Sequence, residues 1–288
     1  MIDSHSHTAY SKHATGSVDE LVRASIAAGV CTLTITDHAP FPLDTNNRLL
    51  ASELDRYFAD IERARTAYQG QIVLLQGLEF DFMPGSEAFT RELLERYPLD
   101  FAIGSVHYVE VLGEPMVKVW ELPRLAAEAF LDRYFDYLEG LLDCGLFDAI
   151  GHADTLLRGL SEDVFLRRFE RLLKPLARSA MAFELNASGL RKSRLSPLTR
   201  QEVHGLWSYP SQCLLPQLVA HDVPFTIGSD THAPEDAGAG VAELMSALKP
   251  LGLSRISYYK DRKRVDVDID ALLPAGTNVS LNQEATWT

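Results

Sequence analysis

The feature that most constrains this chain is an alternation. Short β-branched or apolar runs recur at Ile2–His5, Thr32–Thr36, Ile72–Leu78, Phe101–Ser105, Asp148–Gly151, Ala182–Asn186 and Phe225–Gly228, with a weaker one at Arg255–Tyr258. Longer amphipathic stretches lie between them. Ser17-Val-Asp-Glu20 has the form of a capping box, and the apolar spacing after it runs to Ala28 and a Gly29 stop. Glu53–Tyr68 places Leu54, Tyr57, Phe58, Ile61 and Ala64 at helical intervals. Pro84–Arg96, Leu125–Leu142, Glu162–Ser179, Pro210–Ala220 and Asp236–Leu248 repeat the pattern. Strand–helix alternation over seven or eight units predicts a parallel α/β fold. Two connections are long: His38–Ala51, rich in Pro and Asn, and Tyr108–Pro123, which reads as a hairpin around Gly113. The charge run Lys260–Asp270 reads as a solvated face, and no linker divides the chain, so residues 1–288 read as one domain.

Composition excludes several classes. No stretch approaches the ~20 apolar residues of a membrane span, and the N-terminus lacks a signal pattern. Cys31, Cys144 and Cys213 are far apart and form no metal-binding or redox pair, as expected of thiols in the reducing cytoplasm. The net charge of −13 argues against binding long nucleic acid. It would also repel a small anion unless something local inverts the sign. No feature sets an oligomeric state.

The histidines carry the chemistry. His5 and His7 follow the first strand, where residues two apart face the same side of an extended chain and can reach one ion. His13 lies six residues further on. Asp37 and His38 end the second strand, Glu79 the third, His107 the fourth, His152 the fifth, and Asp230 with His232 the seventh. In an α/β barrel the C-terminal strand ends converge on one mouth, so these side chains are expected to meet there. Imidazole with carboxylate suits Zn, Fe or Mn, and the number of ligands implies two or three divalent ions. Such clusters supply hydroxide at neutral pH and clamp attacking and leaving oxygens, which is hydrolysis chemistry. Their charge would outweigh Glu79 and Asp230 and make the mouth attractive to a phosphate. Arg158, Arg191, Asn186 and Ser188 are candidate phosphate-binding residues, and Lys192 adjoins them.

The motifs HSH, TDH, the strand-end Glu, GSVH, GHAD and SDTH, in this order, resemble the polymerase-and-histidinol-phosphatase (PHP) family of metal-dependent phosphoesterases. Met-Pro-Gly-Ser-Glu, Gly-Ser-Val-His-Tyr and Glu-Leu-Asn-Ala-Ser-Gly-Leu-Arg-Lys resemble its histidinol-phosphate phosphatase branch. The resemblance implies a distorted, TIM-like (β/α)7 barrel and a trinuclear centre. One ion would fall to His5, His7, Glu79 and Asp230. Glu79 would bridge to a second, completed by His107 and His152, and His13, His38 and His232 would hold a third. Asp37 would support the ligands or carry a proton, and His232 is the other candidate acid. The implied reaction turns L-histidinol phosphate into L-histidinol and phosphate. Glu110, Glu114, Phe41, Tyr108 and Trp120 are candidates for the organic end of the substrate. The alternatives are other small phosphate esters, nucleotides among them, and an amidohydrolase, which would need a bridging lysine on a middle strand.

Overall fold

The computed structural model describes residues 1–124, 128–195, 201–204, 213–248, 250 and 254–272. In chain order its elements are β1 (Ile2–Asp3), α1 (Val18–Ala27), β2 (Thr32–Ile35), α2 (Leu54–Ala67), β3 (Val73–Asp81), α3 (Glu87–Arg96) and β4 (Phe101–Ser105). The hairpin β5 (Tyr108–Val111) and β6 (Glu114–Lys118) follows, then α4 (Glu128–Asp143), β7 (Ala149–Ile150), α5 (Glu162–Ser179) and β8 (Ala182–Asn186). The remainder is β9 (Ser193–Leu195), β10 (Glu202–His204), α6 (Leu215–Ala220), β11 (Phe225–Gly228), α7 (Val241–Leu248), β12 (Arg255–Lys260), β13 (Lys263–Asp268) and α8 (Ile269–Leu272).

Seven parallel strands run in the order β1-β2-β3-β4-β7-β8-β11. The chain closes the ring between its two ends. Ser4 N donates to Ile227 O at 2.8 Å, Asp230 N to His5 O at 2.8 Å, and His7 N to Thr231 O at 2.9 Å. The buried Asp3 carboxylate accepts from Ser229 N at 2.8 Å and Ser229 Oγ at 2.6 Å, on the same seam. The architecture is the distorted (β/α)7 barrel, with β12 and β13 added as a hairpin beside β11.

Helix formation follows the sequence chemistry. Ser17 and Glu20 form the reciprocal capping box, and Val18, Leu21, Val22 and Ser25 supply the buried stripe of α1. Two helices start later than their periodicity suggests, because glycines hold the preceding chain in left-handed conformations. Gly85 at φ 93° delays α3, and Gly238 and Gly240 at φ 69° and 80° delay α7. The expected helices at 125–142 and 210–220 begin on 125–127 and 210–212, outside the described residues. The charge run is an edge hairpin strand with an outward face, as expected, except for Arg262. That side chain turns under the barrel, pairs with Asp148, and donates to Leu146 O at 2.7 Å. Beside it Tyr259 stacks on Phe101 with ring centres 4.9 Å apart, closing the end of the barrel opposite the histidines.

β3 is longer than its apolar run. It carries Glu79 and Asp81 while still pairing with β4 through the Asp81–Ser105 register. Gly77, Glu79 and Asp81 share one face of the strand. A Cβ on Gly77 would lie 2.7 Å from Phe101 O, so the interior is too tight there for a side chain. Gly228 is more constrained: a Cβ there would lie 2.3 Å from His5 Cβ and 2.7 Å from His5 N. Gly228→Ala is therefore expected to destabilise the fold by about 1–3 kcal/mol and to displace His5. A denaturant titration checks this, and an unchanged midpoint would contradict it.

Candidate metal centre

The C-terminal strand ends bring the predicted ligands together around one carboxylate. Glu79 is 1% exposed. Its Oε2 lies 3.2 Å from His5 Nε2, 3.5 Å from His7 Nε2 and 3.1 Å from His38 Nδ1. Its Oε1 lies 3.0 Å from His152 Nε2 and 3.4 Å from His107 Nε2. The two oxygens thus face two groups of imidazoles, the arrangement a bridging ligand needs. Asp230 Oδ1 lies 3.3 Å from His7 Nε2 and 3.8 Å from His5 Nε2. Nearer the mouth, His13 Nε2 and His232 Nε2 face each other at 3.0 Å. Three groups have ligand atoms all within 4.8 Å of one another: His5, His7 and Asp230; His38, Glu79 and His107; and His7, His38 and His232.

The ring nitrogens pointing away from the centre are held by acceptors. His5 Nδ1 bonds Glu184, and His107 Nδ1 bonds Asp81 Oδ1 at 2.8 Å. His13 Nδ1 donates to Ser11 O at 2.7 Å and His232 Nδ1 to Asp230 O at 3.1 Å. Ser11 Oγ gives its hydrogen to Asp37 Oδ1 at 2.6 Å and accepts from His7 Nδ1 at 3.1 Å. With a hydrogen on each Nδ1, each neutral ring presents an Nε2 lone pair inward. Lone pairs facing one another at 3.0 Å, as in His5–His7 and His13–His232, call for cations between them. The buried Nδ1 of His38 has no hydrogen-bond partner, although it faces Glu79. The donor set fits divalent metal ions.

Electrostatics agree with the ligand forms. Burial opposes ionisation of Glu79, but His38, His5 and His107 outweigh it and hold the carboxylate well below its ordinary range. Burial likewise opposes ionisation of Asp230, and Lys192 with His5 outweighs it. Burial and His232 push His7 down to about 3, and burial pushes His38 well below its usual value. His5 and His107 are the exceptions: burial lowers both, but Glu184 and Glu79 raise His5 and Asp81 and Glu79 raise His107, so a metal at either Nε2 would displace a proton.

The candidate phosphate residues fare unevenly. Ser188, Arg158, Arg191 and Lys192 line a cavity of about 620 Å³ together with His13, His232 and Asp230. Arg158 sits 5.9 Å from the Trp120 ring centre and Lys118 Nζ 5.7 Å from it. Arg191 reaches the cavity wall, but its Nη atoms donate to Ala239 O at 2.9 Å and Ser229 O at 2.7 Å. Asn186 does not reach the cavity. It is fully buried, its Nδ2 donates to Glu184 at 3.2 Å, and its Oδ1 accepts from Ser188 N at 3.0 Å, so its place as a phosphate ligand is withdrawn. Ser188 Oγ lies 2.8 Å from Asp230 Oδ2 and orients that carboxylate.

Asp37 needs a second correction. It is fully buried behind the ligands, where Thr8 N and Thr8 Oγ1 donate to it at 2.8 and 2.7 Å in addition to Ser11. Burial pushes it up to about 6 against those hydrogen bonds. It orients His7 through Ser11 and does not line the cavity. Of the loop candidates, Tyr108 and Trp120 line the cavity, Phe41 is buried under Arg48, and Glu110 lies 4.0 Å from Arg133 on the exposed surface. The Glu114 side chain lies outside the described residues.

Three functional groups escape the motif reading: Asp81, Glu184 and Arg48. Asp81 lies two residues beyond Glu79, on the same inward face of β3. Glu184 is a carboxylate inside the buried strand β8, and its Oε2 also accepts from His152 N at 2.8 Å. His152 and Asp230 adopt positive φ, 24° and 50°, which carries a backbone cost at both ligands.

Comparison with known proteins agrees with this geometry. Residues 3–188 match the PHP domain model. The chain is 31% identical over 272 residues to a Deinococcus radiodurans protein named "Probable histidinol-phosphatase", covering 91% of this chain and 98% of that one. It is 24% identical to the histidinol-phosphatase of Bacillus subtilis, covering 82% and 95% of the two chains. The crystal structure of a Lactococcus lactis histidinol phosphate phosphatase complexed with zinc, L-histidinol and phosphate superposes with a TM-score of 0.75 at 20% identity, covering 92% of this chain and 98% of that one. The chain belongs to the PHP-domain family.

His107→Ala removes the one imidazole held by Asp81. It is expected to lose metal and to lower activity at least about a hundredfold. Metal content and turnover measured on one sample check both parts, and wild-type values would refute the assignment.

Proposed function

We propose that this protein is a metal-dependent phosphomonoesterase that converts L-histidinol phosphate into L-histidinol and phosphate, a cytoplasmic step of histidine biosynthesis. The observation that carries the reading is the ring of inward imidazole nitrogens around Glu79. The same cavity wall bears Lys118, Arg158, Arg191 and Lys192, which bring positive charge to the site on a chain of net charge −13. The names of the relatives support the substrate. The single closed barrel supports reading residues 1–288 as one domain.

We assign His5, His7, Glu79 and Asp230 to one ion, Glu79, His107 and His152 to a second, and His13, His38 and His232 to a third. His38 also lies within ligand distance of the Glu79–His107 group. Zinc is the first choice, with iron and manganese also suited to imidazole and carboxylate. Bound there, the ions supply an activated water nucleophile and neutralise charge on the phosphoryl group. The chain itself contributes Arg158 and Lys192 to the phosphate, and Ser188 and Lys192 both donate to Asp230 Oδ2, at 2.8 and 2.9 Å, which leaves Oδ1 toward His5 and His7. Tyr108 and Trp120 form the wall available to the organic end.

Of the two candidate acids, His232 alone lines the cavity, with its side chain 31% exposed. Its roles as ligand and as proton donor are separable. His232→Gln should lose metal if the ring is a ligand. Retained metal with turnover lost would make it the acid. An amidohydrolase centre is disfavoured because, among the described residues, none of the seven ring strands carries a lysine, and Lys118 belongs to the β5–β6 hairpin.

The test is phosphate release from a panel of monoesters. Histidinol phosphate should turn over at least about tenfold faster than nucleoside monophosphates. Equal or reversed rates would move the substrate to the nucleotide alternative.

A further inference from the structure

Arg48 has no place in the motifs, yet it is 2% exposed at the end of the Pro- and Asn-rich loop 39–50. A guanidinium buried so deeply needs countercharge. Nη1 donates to Asp81 and, at 3.4 Å, to Ala39 O. Nη2 donates to Asp44 Oδ2 at 3.0 Å, and the Phe41 ring centre lies 5.4 Å from the guanidinium carbon. The loop folds about this side chain: Asn46 N donates to Asp44 Oδ1 at 2.9 Å, and Tyr108 OH to Asp44 Oδ2 at 3.2 Å. The other oxygen of Asp81 accepts from His107 Nδ1, whose Nε2 faces Glu79. An unbroken chain of contacts therefore runs from the loop through Arg48, Asp81 and His107 to Glu79.

We infer that Arg48 is a positioning residue for the metal centre: it anchors Asp81, which in turn holds His107 with Nε2 directed at the ion beside Glu79. The inference rests on the metal-centre reading above. Asp81 differs from Glu184, its counterpart behind His5. Glu184 is fixed by donors of the barrel itself, His152 N and Asn186 Nδ2. Asp81 is fixed by a guanidinium that arrives on a loop. The barrel alone does not complete the holder of His107, so the folding of loop 39–50 and metal occupancy at His107 are linked, each favouring the other.

The test is zinc affinity of the metal-stripped protein, measured by competition with a chromophoric chelator, for wild type, Arg48→Met, Asp81→Asn, the double variant and Arg48→Lys. Each of the first two single changes is expected to weaken zinc binding about 10–100-fold. If Arg48 acts through Asp81, Arg48→Met causes no further loss in the Asp81→Asn background. Arg48→Lys should fall between wild type and Arg48→Met, since a lysine restores the charge without the fork. Losses that multiply in the double variant, or wild-type affinity in Arg48→Met, overturn the inference. If Arg48→Met does not fold, Arg48→Lys with and without Asp81→Asn gives the same comparison. A wild-type protein that takes up no zinc overturns the metal reading itself and this inference with it. Normal uptake by wild type and all variants overturns this inference alone.

Discussion

A carboxylate buried at the centre of a barrel and ringed by imidazole nitrogens is the constraint on which the rest depends. Among the described residues no lysine or arginine pairs with Glu79; its neighbours are inward-facing imidazole rings and the Ser105 hydroxyl, which donates to Oε1 at 2.7 Å. Such a cluster is electrostatically incomplete without cations, and burial makes the incompleteness costly. The seven-stranded closure exists to bring these side chains to one mouth. Its seam, where His5 and Asp230 exchange a backbone hydrogen bond, is formed by two of the ligand-bearing segments themselves. Ring closure and ligand placement are one event.

Around this centre lies a second layer that fixes ring orientation. Carboxylates, carbonyls and a serine hydroxyl take the outer hydrogens of His5, His7, His13, His107 and His232. Asp37 belongs to this layer, not to the chemistry, and Asn186 supports it through Glu184. Metal ligands without such acceptors would exchange tautomers and lose direction. The cost of this layer is a set of buried polar groups, which cations at the centre would offset.

Much of this was legible in the chain. Strand–helix alternation and ligands after nearly every strand led to the barrel and its mouth, because periodicity and strand-end chemistry are local signals. Glu79, read as a strand end, lies inside β3, since a carboxylate facing the barrel interior does not interrupt strand pairing. Asp81 and Glu184 were missed although each shares a strand face with a recognised or structural neighbour, and a strict two-residue count would have exposed them. Arg48 was not reachable in this way. Its role depends on a loop folding back over β3, a contact 33 residues apart in sequence with no periodicity behind it. The partners of Arg191, Ser229 O and Ala239 O, come from distant loops and have no local signal, whereas Asn186 is engaged two residues to either side, by Glu184 and Ser188.

The local charge explains how an acidic chain can take an anion. Cations on the β5–β6 hairpin and after β7 and β8 gather at the mouth, and metals held by the histidines would add to them. The central claim is that Glu79 bridges metal ions at the barrel's C-terminal end. Anomalous diffraction at the absorption edges of zinc, iron and manganese, on crystals grown without chelator, tests it most directly. The account predicts separate peaks on the two sides of the Glu79 carboxylate, within reach of His5 and His7 on one side and His107 and His152 on the other. A single peak elsewhere, or none in a protein that hydrolyses its ester, would contradict it.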